Sequence, residues 1–201
     1  MNRESRLAAV LLAAGPSTRL GQPKQLVKIG GETLVRRVSG MLLELGAASV
    51  TVVSGCESET IENEIRDLPV AVTYNHNWEQ GMGGSITCGV RQLADDVDGI
   101  LVMVCDQWRL EIDDLTRLID SWKADISAIF VANWHEGEAF VSGPPVIFPS
   151  TLIPELKFMT RSRGARQVID RHMDIVEFVM MENAAFDLDR PKDLALIPGY
   201  S

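Results

Sequence analysis

The chain has 201 residues, 46% hydrophobic and 23% charged, with a formal net charge of −9, a length that suits one domain able to bury its core without covalent staples. The negative balance argues against a nucleic-acid or anionic-membrane partner, since nothing neutralises a phosphate backbone, but it leaves carboxylates for a divalent cation that could carry a phosphorylated small ligand. Cys56, Cys88 and Cys105 show no C-x-x-C pairing and read as reduced thiols; with a polar N-terminus and no spanning segment, they predict a cytoplasmic protein.

Leu7–Ala14 is a continuous apolar run, the pattern of a parallel strand buried on both faces. Gly15–Lys24, rich in Gly, Pro, Ser and Thr, predicts a loop. Thr33 is placed to cap a helix from Leu34 to Leu45, with Gly46 ending it. Ser49–Val53 predicts a second strand, Ile61–Arg66 part of a polar helix and Val70–Tyr74 a third strand. Gly81–Gly84 opens a predicted helix over Ser85–Leu93. Gly99–Val104 is a further buried strand that runs out at Cys105–Asp106, and a helix near Ile112–Trp122 leads to a strand over Ile126–Val131. Phe140–Phe148 is broken by proline and predicts a hairpin or an irregular edge. Arg163–Arg171 predicts a helix, Ile175–Met180 a strand and Pro191–Leu196 a short closing helix. The alternation predicts a single α/β domain over residues 1–201: an open, mostly parallel, Rossmann-like sheet with helices on both faces. Ligands of such sheets bind beyond the carboxyl ends of the strands, where the loops after Ala14, Tyr74 and Val104 lie.

Chemistry concentrates in Leu12-Ala13-Ala14-Gly15-Pro16-Ser17-Thr18-Arg19-Leu20-Gly21-Gln22-Pro23-Lys24-Gln25-Leu26. Glycines let backbone amides approach a triphosphate, and Arg19 and Lys24 supply charge where phosphoryl transfer develops it. The spacing is neither G-x-x-x-x-G-K-[ST] nor G-x-G-x-x-G. Gly81, Gly83 and Ser85 lie where a helix begins, a natural contact for an anion or a base. Asp106 stands at the end of an apolar strand, where a carboxylate is costly to bury unless a cation or hydrogen bonds satisfy it; a helix-capping role is the alternative. Asp187 and Asp189 alternate on one face of a short predicted strand, and Asp189 could equally be a helix N-cap before Pro191. His76, His135 and His172 show no metal-ligand spacing and read as solvated surface residues, with His135 in a polar loop. Trp78 and Trp134 could stack on a base or a pterin, although packing explains either.

The fifteen-residue string resembles the signature L-A-A-G-x-S-x-R-x-G-x-P-K-Q of the MobA/MocA-like nucleotidyltransferases. Further matches follow in order: Asn77–Ile86, Asp106-Gln107, Gly143–Phe148, Arg163-Gly164-Ala165 and Asp187–Leu194. The resemblance implies an open α/β fold of the nucleotide-diphosphosugar transferase type. It implies a nucleotide site at Leu12, Ala13, Ala14, Gly15, Ser17, Lys24, Gly81, Gly83 and Ser85. Lys24, Arg19 and Asp106 would be catalytic, and Asp106 and Asp189 would hold Mg2+. Cys105 and Trp108 stand where the family usually has Gly and Pro, and Ser162 replaces an acidic residue. Within the family L-A-A-G accompanies cytidine and L-A-G-G guanosine, so Ala13-Ala14-Gly15 points to CTP. The expected reaction is transfer of CMP to molybdopterin with release of pyrophosphate, in a protein that could also contact a molybdoenzyme. The alternatives are a relative using GTP or a phospho-sugar or phospho-acid acceptor, and a non-catalytic nucleotide-binding maturation factor.

Overall fold

A computed structural model describes residues 5–159 and 164–200. Its main sheet is built from β1 (Leu7–Leu12), β4 (Ser49–Ser54), β5 (Ala71–Tyr74), β6 (Gly99–Val104), β7 (Ile129–Glu136), β8 (Ala139–Pro149) and β9 (Val176–Met180). Two short strands, β2 (Lys28–Ile29) and β3 (Glu32–Thr33), form a separate pair. The seven strands of the main sheet run in the order β5-β4-β1-β6-β8-β7-β9. β1 lies parallel between β4 and β6, β5 continues that parallel set, and only β8 runs antiparallel to its neighbours. The fold is therefore the expected open, mostly parallel sheet.

The helices are α1 (Leu34–Glu44), α2 (Ser58–Ile65), α3 (Met82–Val90), α4 (Ile112–Ala124), α5 (Ile153–Leu156), α6 (Arg166–Arg171) and α7 (Pro191–Leu194). The central strand explains why its sequence is apolar without alternation. Ala9, Leu11 and Ala13 face one core with Val35 and Leu42 of α1, Ile61 of α2 and Trp122 of α4. Ala8, Val10 and Leu12 face the other with Ile86 of α3, Leu156 of α5 and Val168 of α6. A strand covered on both sides has no solvent face to fill with polar residues. The helices come close enough to need glycine: a Cβ on Gly89 of α3 would lie 2.5 Å from Val10 Cγ1, and one on Gly99 2.7 Å from the Trp122 ring. Among the described residues no helix is long and apolar enough to cross a membrane.

Several local expectations change. Gly46 does end α1, with a φ of +73°; its N–H bonds Leu43 and that of Ala47 bonds Leu42, the paired closure of a Schellman motif. Thr33 does not cap with its side chain, because its hydroxyl donates to Glu64 at 3.1 Å. α3 begins at Met82 rather than Ser85, so Gly83 and Gly84 are inside the helix. The strand expected from Ile126 starts at Ile129 and runs on to Glu136, which places His135 on a strand, bonded to Glu182 at 2.5 Å. His172, at the end of α6, pairs with Glu155 at 2.8 Å and is not simply solvated. The Phe140–Phe148 segment is no edge, since β8 sits between β6 and β7. Its prolines are accommodated where register skips: Val131 pairs with Val146 but Ala132 pairs with Gly143, leaving cis-bonded Pro144-Pro145 outside the ladder. Ser162 and Arg163 lie outside the described residues, and the helix expected from Arg163 is described from Arg166.

Candidate active site

The loop after β1 is shaped from within by one buried amide. Gln25 donates from Nε2 to the carbonyls of Ala13 at 2.8 Å and Gly15 at 2.7 Å. Its Oε1 accepts from the Ser17 hydroxyl at 3.3 Å, and Ser17 Oγ accepts the Lys24 N–H at 3.0 Å. Ser17 and Gly21 both adopt positive φ, 53° and 81°, so the chain turns back sharply between them. Gly15 does not: its φ is ordinary, and a Cβ there would meet nothing within 4 Å. The fold itself makes no demand for glycine at that position. Gln25 was not among the residues singled out from sequence, and its only prior signal was its place in the signature string.

Asp106 follows β6 by two residues. The segment 106–108 is met by 186–188 from the far end of the chain. Gln107 bridges Asp187 in an antiparallel sense, Trp108 N–H bonds the Phe186 carbonyl at 3.2 Å, and Leu188 N–H bonds the Asp106 carbonyl at 3.0 Å. Asp187 thus lies on a single bridge and Asp189 just beyond it, rather than on a strand. A small apolar cluster of Leu20, Val27, Leu34, Trp108, Leu188 and Ile197 clamps this strap against the signature loop. Trp108 belongs to that cluster, edge-on to Phe186, and does not line a substrate wall. Gln107 adds a further tie, donating to the carbonyls of Pro144 at 2.7 Å and Ala184 at 2.8 Å.

The consequence is a charged focus. Lys24 Nζ contacts Asp106 Oδ2 and lies 3.6 Å from Asp189 Oδ1, while Arg19 approaches Asp189 Oδ2 at 3.0 Å. Neither aspartate caps a helix: α4 is capped by Glu111, and ahead of α7 it is Asp193 that accepts the N–H groups of Asp189 and Arg190. Burial works against the Lys24 ammonium, but the charge and hydrogen bond of Asp106, helped by Asp189, outweigh it and hold its pKa above the usual lysine value. Asp187 keeps a solvent-facing edge, yet the protein around it, and then the like charges of Asp106 and Asp189, push its carboxyl up to about 7. Burial also pushes the Cys105 thiol up, so it is no thiolate nucleophile.

Asp106 Oδ1 is buried without a hydrogen-bond partner. An orphaned carboxylate oxygen is expensive unless a ligand completes it. The two carboxylates Asp106 and Asp189 both contact one cationic group, Lys24. Among the described residues no set of three His, Cys, Asp or Glu side chains could hold a metal by itself; magnesium needs only one or two carboxylates when phosphates supply other oxygens.

Above this focus lies a cleft of about 590 Å³, walled by Leu12, Ala14, Gly15, Trp78, Ser85 and Asp106 among others. The loop from Pro16 to Leu20 adds a smaller recess of about 170 Å³ with Arg19, Lys24 and Asp189. Of the residues expected at a nucleotide, Leu12, Ala14, Gly15, Lys24, Gly81 and Ser85 line the cleft, and Ser17 lines the recess. Ala13 and Gly83 line neither and are buried; Ala13 serves by giving its carbonyl to Gln25. Trp78 lines the cleft, whereas Trp134 packs on Gly143. A second cavity of about 410 Å³ adjoins the first across Gly81 and Met82, with Val131, Pro144, Val146, Ile169, Ser142 and Arg166 on its walls. Arg166 is the one charged side chain on it among the described residues, held by Asp170 at 3.0 Å and Ser142 at 3.2 Å.

The MobA-like NTP transferase domain matches residues 9–176. The chain is 28% identical to the nicotine blue oxidoreductase of Paenarthrobacter nicotinovorans, over 86% of each chain. It is 31% identical to the purine catabolism protein PucB of Bacillus subtilis, over 83% of this chain and 82% of that one. Among solved structures, Rv0371c from Mycobacterium tuberculosis H37Rv superposes with a TM-score of 0.83 at 22% identity, covering 98% of both chains. The same protein in complex with manganese superposes at 0.78 and 19% identity, over 96% of this chain and 97% of that one.

Proposed function

The chain belongs to the MobA-like NTP transferase domain family and is a nucleotidyltransferase; from that premise we propose that it transfers CMP from CTP to a phosphorylated acceptor, molybdopterin foremost, with release of pyrophosphate. The observation that carries the proposal is the convergence of Lys24, Arg19, Asp106 and Asp189 at the foot of a cleft walled by Gly15 and Gly81.

In this reading an oxygen of the acceptor phosphate attacks the α-phosphorus, the bond from that phosphorus to the bridging β-oxygen breaks, and pyrophosphate departs. A phosphate monoester is already a nucleophile, so positioning and charge stabilisation are the protein's whole task. Lys24 and Arg19 steady the α- and leaving phosphates. Asp106 and Asp189 would hold Mg2+, which supplies charge neutralisation of the triphosphate when bound. The orphaned Asp106 Oδ1 fits that role, and the manganese complex of the mycobacterial structure is consistent with it.

Cytidine is supported by Ala14, which is wedged with Trp78 around Gly55 so closely that this wall cannot retreat for a larger base. The acceptor would occupy the second cavity, whose walls suit a flat apolar body with one anionic group at Arg166. A phospho-sugar would ask for more hydroxyl partners than Ser142 and Gln80 offer. The test is pyrophosphate release from CTP and GTP, with Mg2+ and molybdopterin. CTP-dependent turnover abolished by Asp106→Asn, with the fold retained, is the expected result. Nucleotide binding with silence toward every acceptor would leave a binding protein instead, and a clear GTP preference would overturn the base assignment.

A further inference from the structure

Asn75, just after β5, is buried with both ends of its side chain committed. Its Oδ1 accepts the backbone N–H of Asn77 at 3.0 Å. A main-chain amide can only donate, so the end of the carboxamide facing it must be the oxygen. Nδ2 therefore faces Ser85 Oγ, 3.0 Å away, and donates to it. The segment is held from both sides, because Asn75 N–H bonds the Ser54 carbonyl at 2.9 Å and Trp78 N–H bonds the Asn75 carbonyl at 3.1 Å.

Ser85 lies in the first turns of α3, is itself buried, and lines the cleft. A hydroxyl has one proton. With Asn75 donating to its oxygen, that proton cannot point at Asn75, and among the described residues no acceptor takes it. It is left for whatever occupies the cleft.

We propose that Asn75 is a positioning residue that fixes Ser85 as a hydrogen-bond donor into the cleft, so that the site selects a nucleobase edge presenting an acceptor, a ring carbonyl oxygen or an unprotonated ring nitrogen. This rests on the reading of the cleft as a nucleoside triphosphate site. A buried donor that meets a ligand donor leaves both unpaired, so its polarity discriminates more sharply than shape does.

Asn75→Asp is nearly isosteric and can still accept from Asn77, but its second oxygen can only accept. Ser85 must then turn its proton inward and show lone pairs to the cleft. CTP affinity is measured by calorimetry for the native protein, Asn75→Asp, Ser85→Ala and the double variant, with melting temperatures alongside. Asn75→Asp should weaken CTP binding by about tenfold or more in the native background, but less than about twofold in the Ser85→Ala background. The cycle subtracts any general repulsion between the new carboxylate and the triphosphate. Equal losses in both backgrounds, or no loss in either, would overturn the inference. Should Asn75→Asp fail to fold, Ser85→Ala decides alone: unchanged CTP affinity refutes the donor role. If the native protein binds no nucleoside triphosphate, the nucleotide reading falls first; if it binds CTP without the coupling, only the role of Asn75 falls.

Discussion

Gly55 tests whether the cleft wall is as tightly built as it looks. Its φ is not in the left-handed region, so the demand for glycine is one of space. A Cβ there would lie 2.7 Å from the Ala14 carbonyl oxygen, 2.7 Å from Trp78 Cβ and 2.8 Å from Ala14 Cβ. None of these is the loose end of a side chain. The Ala14 carbonyl accepts the Cys56 N–H at 3.1 Å, and Trp78 is anchored through its own N–H to Asn75. Relief must come from backbone movement, which puts Gly55→Ala at the upper end of the range of about 1–3 kcal/mol for overpacking. For a chain of this size each kcal/mol lowers the melting temperature by about 2–4 °C, so a fall of roughly 4–12 °C is expected. Parting Ala14 from Trp78 should also weaken CTP binding about tenfold, given how steeply affinity falls when an ordered site is displaced. Gly99→Ala is the control. Its Cβ would crowd the Trp122 ring at 2.7–2.9 Å, in the core at the start of β6, whereas the cleft is lined from the other end of that strand by Val104 and Asp106. It should destabilise comparably while leaving the CTP dissociation constant unchanged below the melting range. Thermal unfolding and calorimetry on both variants decide the matter. A Gly55→Ala protein that melts and binds like the native one, or a Gly99→Ala protein that loses nucleotide equally, would refute the reasoning.

Gly15→Ala should show the opposite pattern, with stability within about 0.5 kcal/mol of native but CTP affinity reduced, because its Cβ finds open space rather than protein; unaltered affinity would show that no ligand approaches there. Gln25→Leu leaves the Ala13 and Gly15 carbonyls without their shared donor, at about 1–3 kcal/mol for each buried group left unpaired. A lowered melting temperature with a parallel loss of turnover is expected, and a stable, active variant would remove Gln25 as the loop's organiser. The exposed Asp67 carboxyl is pulled down to about 2 first by its hydrogen bond to Arg36 and then by its own backbone. A carboxyl depressed in the folded state stabilises above its unfolded pKa, and the gain is lost as pH falls through about 2. The melting difference between native protein and Asp67→Asn should accordingly shrink steadily from pH 4 to pH 2; a difference unchanged over that range would assign the effect to something other than charge.

The sequence by itself determined the features set by local burial and backbone demand. Leu7–Ala14 reads as a doubly covered strand because no residue in it could face water, and Gly46 reads as a helix end because few other residues accept its φ of +73°. Asp106 was legible as a carboxylate out of place at the end of an apolar run, and the string from Leu12 to Leu26 as a loop made for phosphate. Tertiary structure alone decided what those residues meet. Asp189 reaches Lys24 because Leu188 and Leu20 share an apolar cluster and three residues pair with 106–108 across some eighty positions of chain; segments that short have no periodicity to read. The central place of β8 hinges on a register skip that lets its prolines leave the ladder, which composition near Pro144 cannot reveal. The direction of the Ser85 proton depends on a backbone N–H two residues beyond Asn75. Hydrophobic pattern fixes which groups are buried, but only the assembled chain fixes which polar groups are left to find their partners in a ligand.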